Sequence, residues 1–197
     1  MDERAVRAHV TTWIDEAIIG LNLCPFAKDA NASGGVTLKL SDAQTPHEAL
    51  RDALQTATTL LDLDEQSERV LTTLLVYPQV LDDFDLYLDV VETLRQVLSE
   101  AGGDGVLQVA TFHPDYRFAG VEEGDISHYT NRSPYPIIHF LREADVTRAL
   151  SNYSEPERIP DDNIDRLEAL GQEGIATIWS RWTRGSSLAS ETSDELG

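Results

Sequence analysis

"VLTTLLVYP", residues 70–78, is the stretch that decides the fold class. It is a run of β-branched and aliphatic residues with no charge, which is typical of a strand buried on both faces. Pro78 ends it, because proline supplies no N–H to a sheet. A buried strand of this kind needs helices to cover it, and the segments on either side of it in the chain have helical patterns.

Helix signals stand on both sides of this strand. Thr45, Pro46 and Glu48 form an N-cap, a first-turn proline and a capping-box acid, and they predict the start of a helix. Apolar residues at helical spacing predict three more helices. These cover residues 3 to about 21, the segment "DDFDLYLDVVETLRQVLSEAGG" (82–103), and a C-terminal helix that includes residues 164–182.

Further strands are predicted at "VTLKL" (36–40) and "GVLQVATF" (105–112). "PIIHFLRE" (136–143) is too short to assign by its period. It fits either a strand followed by a short helix or the start of a helix running to Tyr153, and a strand is favoured. The alternation of strands and helices predicts an α/β (α+β) fold, a two-layer sandwich that is either ferredoxin-like or a small mixed sheet covered by helices.

Composition restricts the partners. The 197 residues include 35 Asp and Glu against 15 Lys and Arg, which gives a net charge of −20. Such a charge repels nucleic-acid backbones and anionic lipid surfaces, so neither is an expected partner. No stretch has the pattern of a leader or of a membrane span, and the protein is expected to be cytoplasmic. Residues 1–184 are predicted to form a single domain, and residues 185–197 an acidic, disordered tail.

The long polar segment after the predicted strand 105–112 is the most informative part of the chain for function. Ligands of α/β sheets tend to bind at the carboxyl ends of strands, and His113 follows directly on such an end. Arg117 and Arg132 lie in this segment of an acidic protein, where a guanidinium offers a planar fork for a carboxylate or phosphate. The alternative is that both arginines pair with nearby acids, which are Glu122, Glu123 and Asp125.

His113 and Asp115 allow two chemistries. With a third ligand, His128 or His139, they resemble in outline the facial triad of two histidines and a carboxylate that holds a divalent metal such as iron; zinc is a further option. Without a metal, His113 oriented by Asp115 can act as a general base, with Tyr116 or Arg132 stabilising charge. The structural alternative is that Asp115 caps a turn and His113 bonds a loop carbonyl.

Cys24 is the only cysteine of the chain, which excludes an internal disulfide. It follows the C-terminal end of the first predicted helix, where the helix dipole disfavours a thiolate. The local sequence therefore favours a buried apolar role over that of a nucleophile, unless folding brings His113 or an arginine beside it.

Three segments together resemble a known family. "GLNLCPFA" (20–27), "ATFHPDYRFAG" (110–120) and "YTNRSPYPIIHFLRE" (129–143) are similar, in order and separation, to the motifs of the bacterial and plastid family known as domain of unknown function 1415. The family brings no activity with it. The resemblance implies that its motif positions are Asn22, Cys24, Pro25, His113, Pro114, Asp115, Tyr116, Asn131, Arg132, Tyr135 and His139.

If these motifs meet, one cleft holds a thiol, imidazoles, a carboxylate, phenols and a guanidinium, which is more than a core needs. The first hypothesis is an enzyme acting on a small anionic molecule. Its catalytic residues are then His113, Asp115, Tyr116 and Cys24; Asn131, Arg132 and Tyr135 bind the substrate; and His113, Asp115 and His139 are the metal ligands if a metal is used. The alternatives are a non-catalytic module that binds a ligand or protein and a metal-sequestering protein.

Overall fold

The computed structural model describes residues 2–62, 72–151 and 153–184. The predicted tail, 185–197, and the first two residues of the predicted strand 70–78 lie outside these ranges. The helices are α1 (Glu3–Trp13), α2 (Ala27–Ala32), α3 (Pro46–Leu61), α4 (Phe84–Glu100), α5 (Glu143–Leu150) and α6 (Ile159–Arg184). The strands are β1 (Val36–Leu40), β2 (Thr72–Val76), β3 (Leu107–Phe112) and β4 (Ile137–Arg142).

Local sequence explains where the central helices begin. The Thr45 hydroxyl accepts from the Glu48 amide at 3.3 Å, and the Glu48 carboxylate accepts from the Thr45 amide at 3.2 Å, so the predicted capping box at α3 is present. Asp83 caps α4 by accepting from the Leu86 amide at 2.8 Å. Both devices satisfy amides that have no partner within the helix.

The four strands form one open mixed sheet in the order β1-β2-β4-β3. β1 is parallel to β2, whereas β4 is antiparallel to both β2 and β3. This confirms the predicted α/β class with a small mixed sheet covered by helices, and residues 136–143 contribute a strand, as favoured. From β1 to β4 the strands and α-helices follow one another as β-α-β-α-β-β, unlike the β-α-β-β-α-β order of ferredoxin-like folds.

Helices cover both faces of the sheet. Alternate residues of β2 point to opposite sides: Leu75 belongs to the core shared with α3 and α4, and Leu74 and Val76 to the core shared with α1 and α6. β2 therefore carries apolar residues at successive positions, which explains the continuous apolar run in its sequence.

The parallel strands direct the loops to one end. β4 is antiparallel to its two neighbours, so β1, β2 and β3 run in the same direction and their carboxyl ends lie at the same end of the sheet. The loop between β2 and α4 and the long segment 113–136 both begin at this end. This arrangement places the residues singled out in the sequence at the end of the sheet where α/β proteins bind ligands.

Several local features differ from the sequence predictions. The helical pattern to residue 21 is divided, because α1 ends at Trp13 and Ile14–Ile19 forms a π-helical segment. The 113–136 segment contains a 3₁₀ helix, Ile126–Thr130. α6 is interrupted at Gly171, whose φ of 71° lies in the left-handed region that glycine adopts without strain.

Arginines bond the outward-facing carbonyls of the two edge strands. Arg7 donates to the Leu38 carbonyl of β1 at 3.0 Å, and Arg95 donates to the Val109 carbonyl of β3 at 3.0 Å. Side chains that occupy an edge in this way reduce its ability to pair with another strand.

α3 packs closely on the sheet through alanines, since Ala49, Ala53 and Ala57 are fully buried. We expect Ala53→Leu to lower the free energy of unfolding by about 1–3 kcal/mol, because added methylene groups displace a packed helix. Gln55→Leu at an exposed position of the same helix is the control and should change stability by less than about 0.5 kcal/mol. Urea unfolding measures both, and equal effects of the two variants would contradict the packing shown here.

Candidate ligand site at the strand ends

The second and third family motifs meet at the end of β3. The His113 amide donates to the Asn131 carbonyl at 3.2 Å, and the Ser133 amide donates to the His113 carbonyl at 3.4 Å. The Asn131 side chain donates to the Thr111 carbonyl at 3.0 Å and accepts from the Thr130 hydroxyl at 3.0 Å. Asn131, a predicted substrate-binding residue, thus has both side-chain groups bonded within the protein.

His113 is completely buried and bonded through both ring nitrogens. Nδ1 accepts from the backbone amide of Asp115 at 3.0 Å. Nε2 lies 2.9 Å from the Leu81 carbonyl, which can only accept, so Nε2 carries the proton and the ring is neutral. Burial lowers the pKa of His113, which favours the same form. His113 joins the loop after β2 to the loop after β3.

Leu81 shows how closely the two loops are tied. Its φ of 69° is left-handed, which a leucine rarely adopts and which costs free energy. Its side chain is 2% exposed within the core, and its carbonyl accepts the proton of His113. Burial and the hydrogen bond together hold this conformation.

His128 repeats this arrangement within the long segment. It is also fully buried, its Nδ1 accepts from the Phe118 amide at 3.2 Å, and its Nε2 donates to the Glu122 carbonyl at 2.8 Å. Two buried imidazoles therefore satisfy backbone groups that no secondary structure pairs.

The carboxylate of Asp115 does not orient His113, because the bond between these residues uses the backbone amide, and Asp115 is exposed. Tyr116 is partly buried and packs against Phe84, with ring centroids 5.2 Å apart; its hydroxyl is 3.4 Å from the Thr111 hydroxyl. The structural alternative, in which His113 bonds a loop carbonyl, describes the observed geometry.

Arg132 has a different setting from the other arginine of this segment. Arg117 pairs with Asp85 at 3.5 Å, and neither arginine forms an ion pair with the acids proposed from the sequence. The guanidinium carbon of Arg132 lies 4.3 Å from the ring centroid of Tyr129, and its Nε is 3.5 Å from the Tyr116 carbonyl. Within the described ranges, no carboxylate forms an ion pair with Arg132.

Two residues of α1 bond the third motif (129–143), and the sequence analysis did not assign them to the site. Trp13 donates its indole N–H to the Arg132 carbonyl at 3.0 Å, and His9 Nδ1 bonds the Tyr135 hydroxyl at 2.8 Å. His9 and Trp13 are four residues apart and lie on one face of the helix. In sequence they are indistinguishable from the rest of its buried stripe. Tyr135, a predicted substrate-binding residue, is bonded to α1, and burial raises the pKa of its phenol.

The two histidines among the candidate metal ligands lie on opposite faces of the sheet. His113 continues the face of β3 that packs on α4, where it contacts Phe84 and Tyr87. His139 pairs with Ala110 in the sheet and contacts Phe112, so it lies on the opposite face. Among the described residues, no group of three His, Cys, Asp or Glu side chains is placed to hold a metal ion. The structure therefore does not assemble the predicted site for iron or zinc.

The first motif packs elsewhere. Asn163 of α6 donates to the Leu23 carbonyl at 2.7 Å, and Arg166 donates to the Asn22 carbonyl at 3.2 Å. Cys24 is partly buried, and burial raises the pKa of its thiol, which opposes formation of a thiolate. Hydrogen bonds join the motif to α6, to the π-helical segment and to α2, and Cys24 forms none with His113.

Comparison with known proteins agrees with the motif resemblance. The family model described as "Protein of unknown function (DUF1415)" matches residues 5–177. The chain belongs to the DUF1415 family. No curated protein and no solved structure gives a significant match. In the described part of this DUF1415 chain, no helix is long and apolar enough to cross a bilayer. Family membership itself assigns no activity, so function rests on the site.

The bonds of His113 predict a structural role that mutagenesis can separate from a catalytic one. His113→Ala leaves the Leu81 carbonyl and the Asp115 amide unpaired in the interior, and we expect it to lower the free energy of unfolding by at least about 2 kcal/mol. Asp115→Ala keeps the amide that bonds the ring and should cost less than about 1 kcal/mol. Denaturant unfolding measures both, and a neutral His113→Ala would contradict this role.

His139 predicts a pH dependence of stability. Burial lowers its pKa from 6.5 to about 4, and its Nε2–H donates to the Thr72 hydroxyl, which itself donates to the Phe140 carbonyl. Between these two pH values the unfolded chain binds a proton that the folded chain does not, so stability falls as the pH is lowered. The loss approaches a value on the order of 3 kcal/mol near pH 4.

His139→Gln is the matched variant, because glutamine can donate to Thr72 without titrating. As the pH is lowered from 6.5 to 4, the wild type should lose unfolding free energy relative to this variant, as measured by urea unfolding at several pH values. Subtraction removes the contribution of other titrating groups. A difference that stays constant with pH would contradict the burial of a neutral His139.

Proposed function

We propose that this protein binds a small anionic molecule at the carboxyl ends of β1, β2 and β3, with Arg132 as the binding cation. The observation that carries the proposal is the setting of Arg132, which has no carboxylate partner among the described residues of a chain whose net charge is −20. With an excess of carboxylates available, a guanidinium without one is suited to an external anion.

Arg132 is held in place before any ligand arrives. Its guanidinium lies against the ring of Tyr129, its Nε contacts the Tyr116 carbonyl, and its own carbonyl accepts from the indole of Trp13. Restricting a long side chain in advance reduces the entropy that binding costs. A fork fixed in this way can bind a carboxylate or phosphate through two parallel hydrogen bonds.

The proposal is one of binding, without acid-base catalysis by His113. A general base needs a nitrogen that can reach a substrate proton, and both nitrogens of His113 bond the backbone in the interior. Asn131 and Tyr135 support the loop through their bonds to Thr111 and His9. A cytoplasmic small molecule is the proposed partner, because the acidic surface disfavours nucleic acids and anionic membranes.

Thermal unfolding with added anions tests this function. Sodium acetate and sodium phosphate should each raise the Tm of the wild type above that in sodium chloride of equal ionic strength, because a ligand that binds only the folded state stabilises it. Arg132→Gln should abolish this increment. Arg117→Gln is the control, since Arg117 already pairs with Asp85, and it should retain the increment. An equal increment in wild type and Arg132→Gln would contradict the proposal.

A further inference from the structure

An apolar crevice lies between the π-helical segment and α6. Its walls are made of aliphatic and aromatic side chains, which include Tyr129, Ile178, Trp179 and Trp182. Its enclosed volume is about 10 Å³, which is room for a single water. The site described above uses none of these residues except Tyr129.

Tyr129 is the wall shared by the crevice and the anion site. The guanidinium of Arg132 lies over the Tyr129 ring, with its carbon 4.3 Å from the ring centroid. It also contacts Trp179 edge-on at 5.6 Å, and its ring lines the crevice. Tyr129 therefore borders both the positive charge of Arg132 and the apolar crevice.

The crevice also contains a polar group without a partner. Trp182 is 5% exposed, and its indole Nε1 has no hydrogen-bond partner among the described residues. An unpaired buried donor costs free energy, so such groups are rare in native proteins.

We propose that the ligand is a carboxylate with an apolar tail, whose carboxylate binds Arg132 and whose tail enters this crevice past Tyr129. This inference rests on the proposed function and specifies its ligand class. An apolar tail fits a cleft with almost no polar lining, and the carboxylate fits the fork of Arg132.

The crevice has to widen to admit a tail, and the break in α6 provides a way. Gly171 divides the lining residues of α6: Leu167 and Leu170 lie before it, and Ile175 and Ile178 after it. Movement at such a break shifts the second half of the helix without unwinding either half. The small initial volume favours short tails over long ones.

The intrinsic fluorescence of the protein reports on this site directly. The chain has three tryptophans. Trp13 bonds the Arg132 carbonyl, whereas Trp179 and Trp182 contact each other at 5.1 Å in the crevice wall.

Titration with acetate, hexanoate and hexanol at constant ionic strength separates the contribution of the carboxylate to affinity from that of the tail. Hexanoate should bind the wild type at least about tenfold more tightly than acetate, because its chain removes more apolar surface from water. Hexanol should bind more weakly than hexanoate.

Two variants test the binding of the carboxylate and the binding of the tail separately. Arg132→Gln should lose the binding of both carboxylates, and Ile178→Phe, which fills the crevice, should reduce hexanoate binding to the level of acetate without changing acetate binding. Thermal unfolding of each variant verifies that it folds; if Ile178→Phe fails to fold, Ile178→Val, which enlarges the crevice, should tighten hexanoate binding relative to acetate.

The outcomes separate the two proposals. Equal affinities of acetate and hexanoate, both dependent on Arg132, would overturn the tail site and leave the anion site intact. Hexanol binding as tightly as hexanoate would overturn the proposal that one ligand uses both Arg132 and the crevice, because the carboxylate would then contribute nothing. Absence of any carboxylate binding to the wild type would overturn both proposals.

Discussion

The arrangement of the strand-end loops depends on one neutral imidazole. His113 accepts a hydrogen bond from the backbone amide of Asp115 in its own loop and donates one to the Leu81 carbonyl in the loop that precedes α4. A single side chain therefore links two segments that share no strand pairing. The ring bonds the carbonyl of Leu81, whose backbone is left-handed, while the backbone of His113 pairs with Asn131 and Ser133 at the end of β3. His128 extends the same device further along the segment.

His113 and His128 have a structural role although they occur in a pattern typical of reactive sites. A histidine followed two residues later by an aspartate at a strand end has the form of a catalytic or metal-binding pair, yet here the second residue contributes its backbone amide and exposes its carboxylate. The number of bonds that a backbone must satisfy in a long loop is as strong a reason to place histidine there as reactivity. Arg132, unlike these histidines, has side-chain donors without a protein partner among the described residues, and it is the residue proposed to bind the ligand.

The elements with strong local signals could be predicted from the sequence. The capping box at Thr45, the apolar run of β2 and the helical periods of α3 and α4 each depend on neighbours in the chain, and the structure confirms them. The π-helical segment and the break at Gly171 could not be located, because both lie within apolar patterns that continue at helical spacing. The same limit applies to the site. That the second and third motifs meet followed from the strand-end rule, whereas the opposite faces of His113 and His139 depend on the register of β3 against β4.

The helix arginines that bond the two edge strands have a consequence for the behaviour of the protein at high concentration. A short sheet with unpaired edges offers its backbone to other chains, and edge-to-edge pairing is a route to aggregation. Arg7 and Arg95 occupy carbonyls on β1 and β3, and guanidinium groups stay charged at every pH a protein meets. Acidic residues provide mutual repulsion only while they are ionised, so in acid, where that repulsion fades, these two arginines continue to keep neighbouring molecules apart.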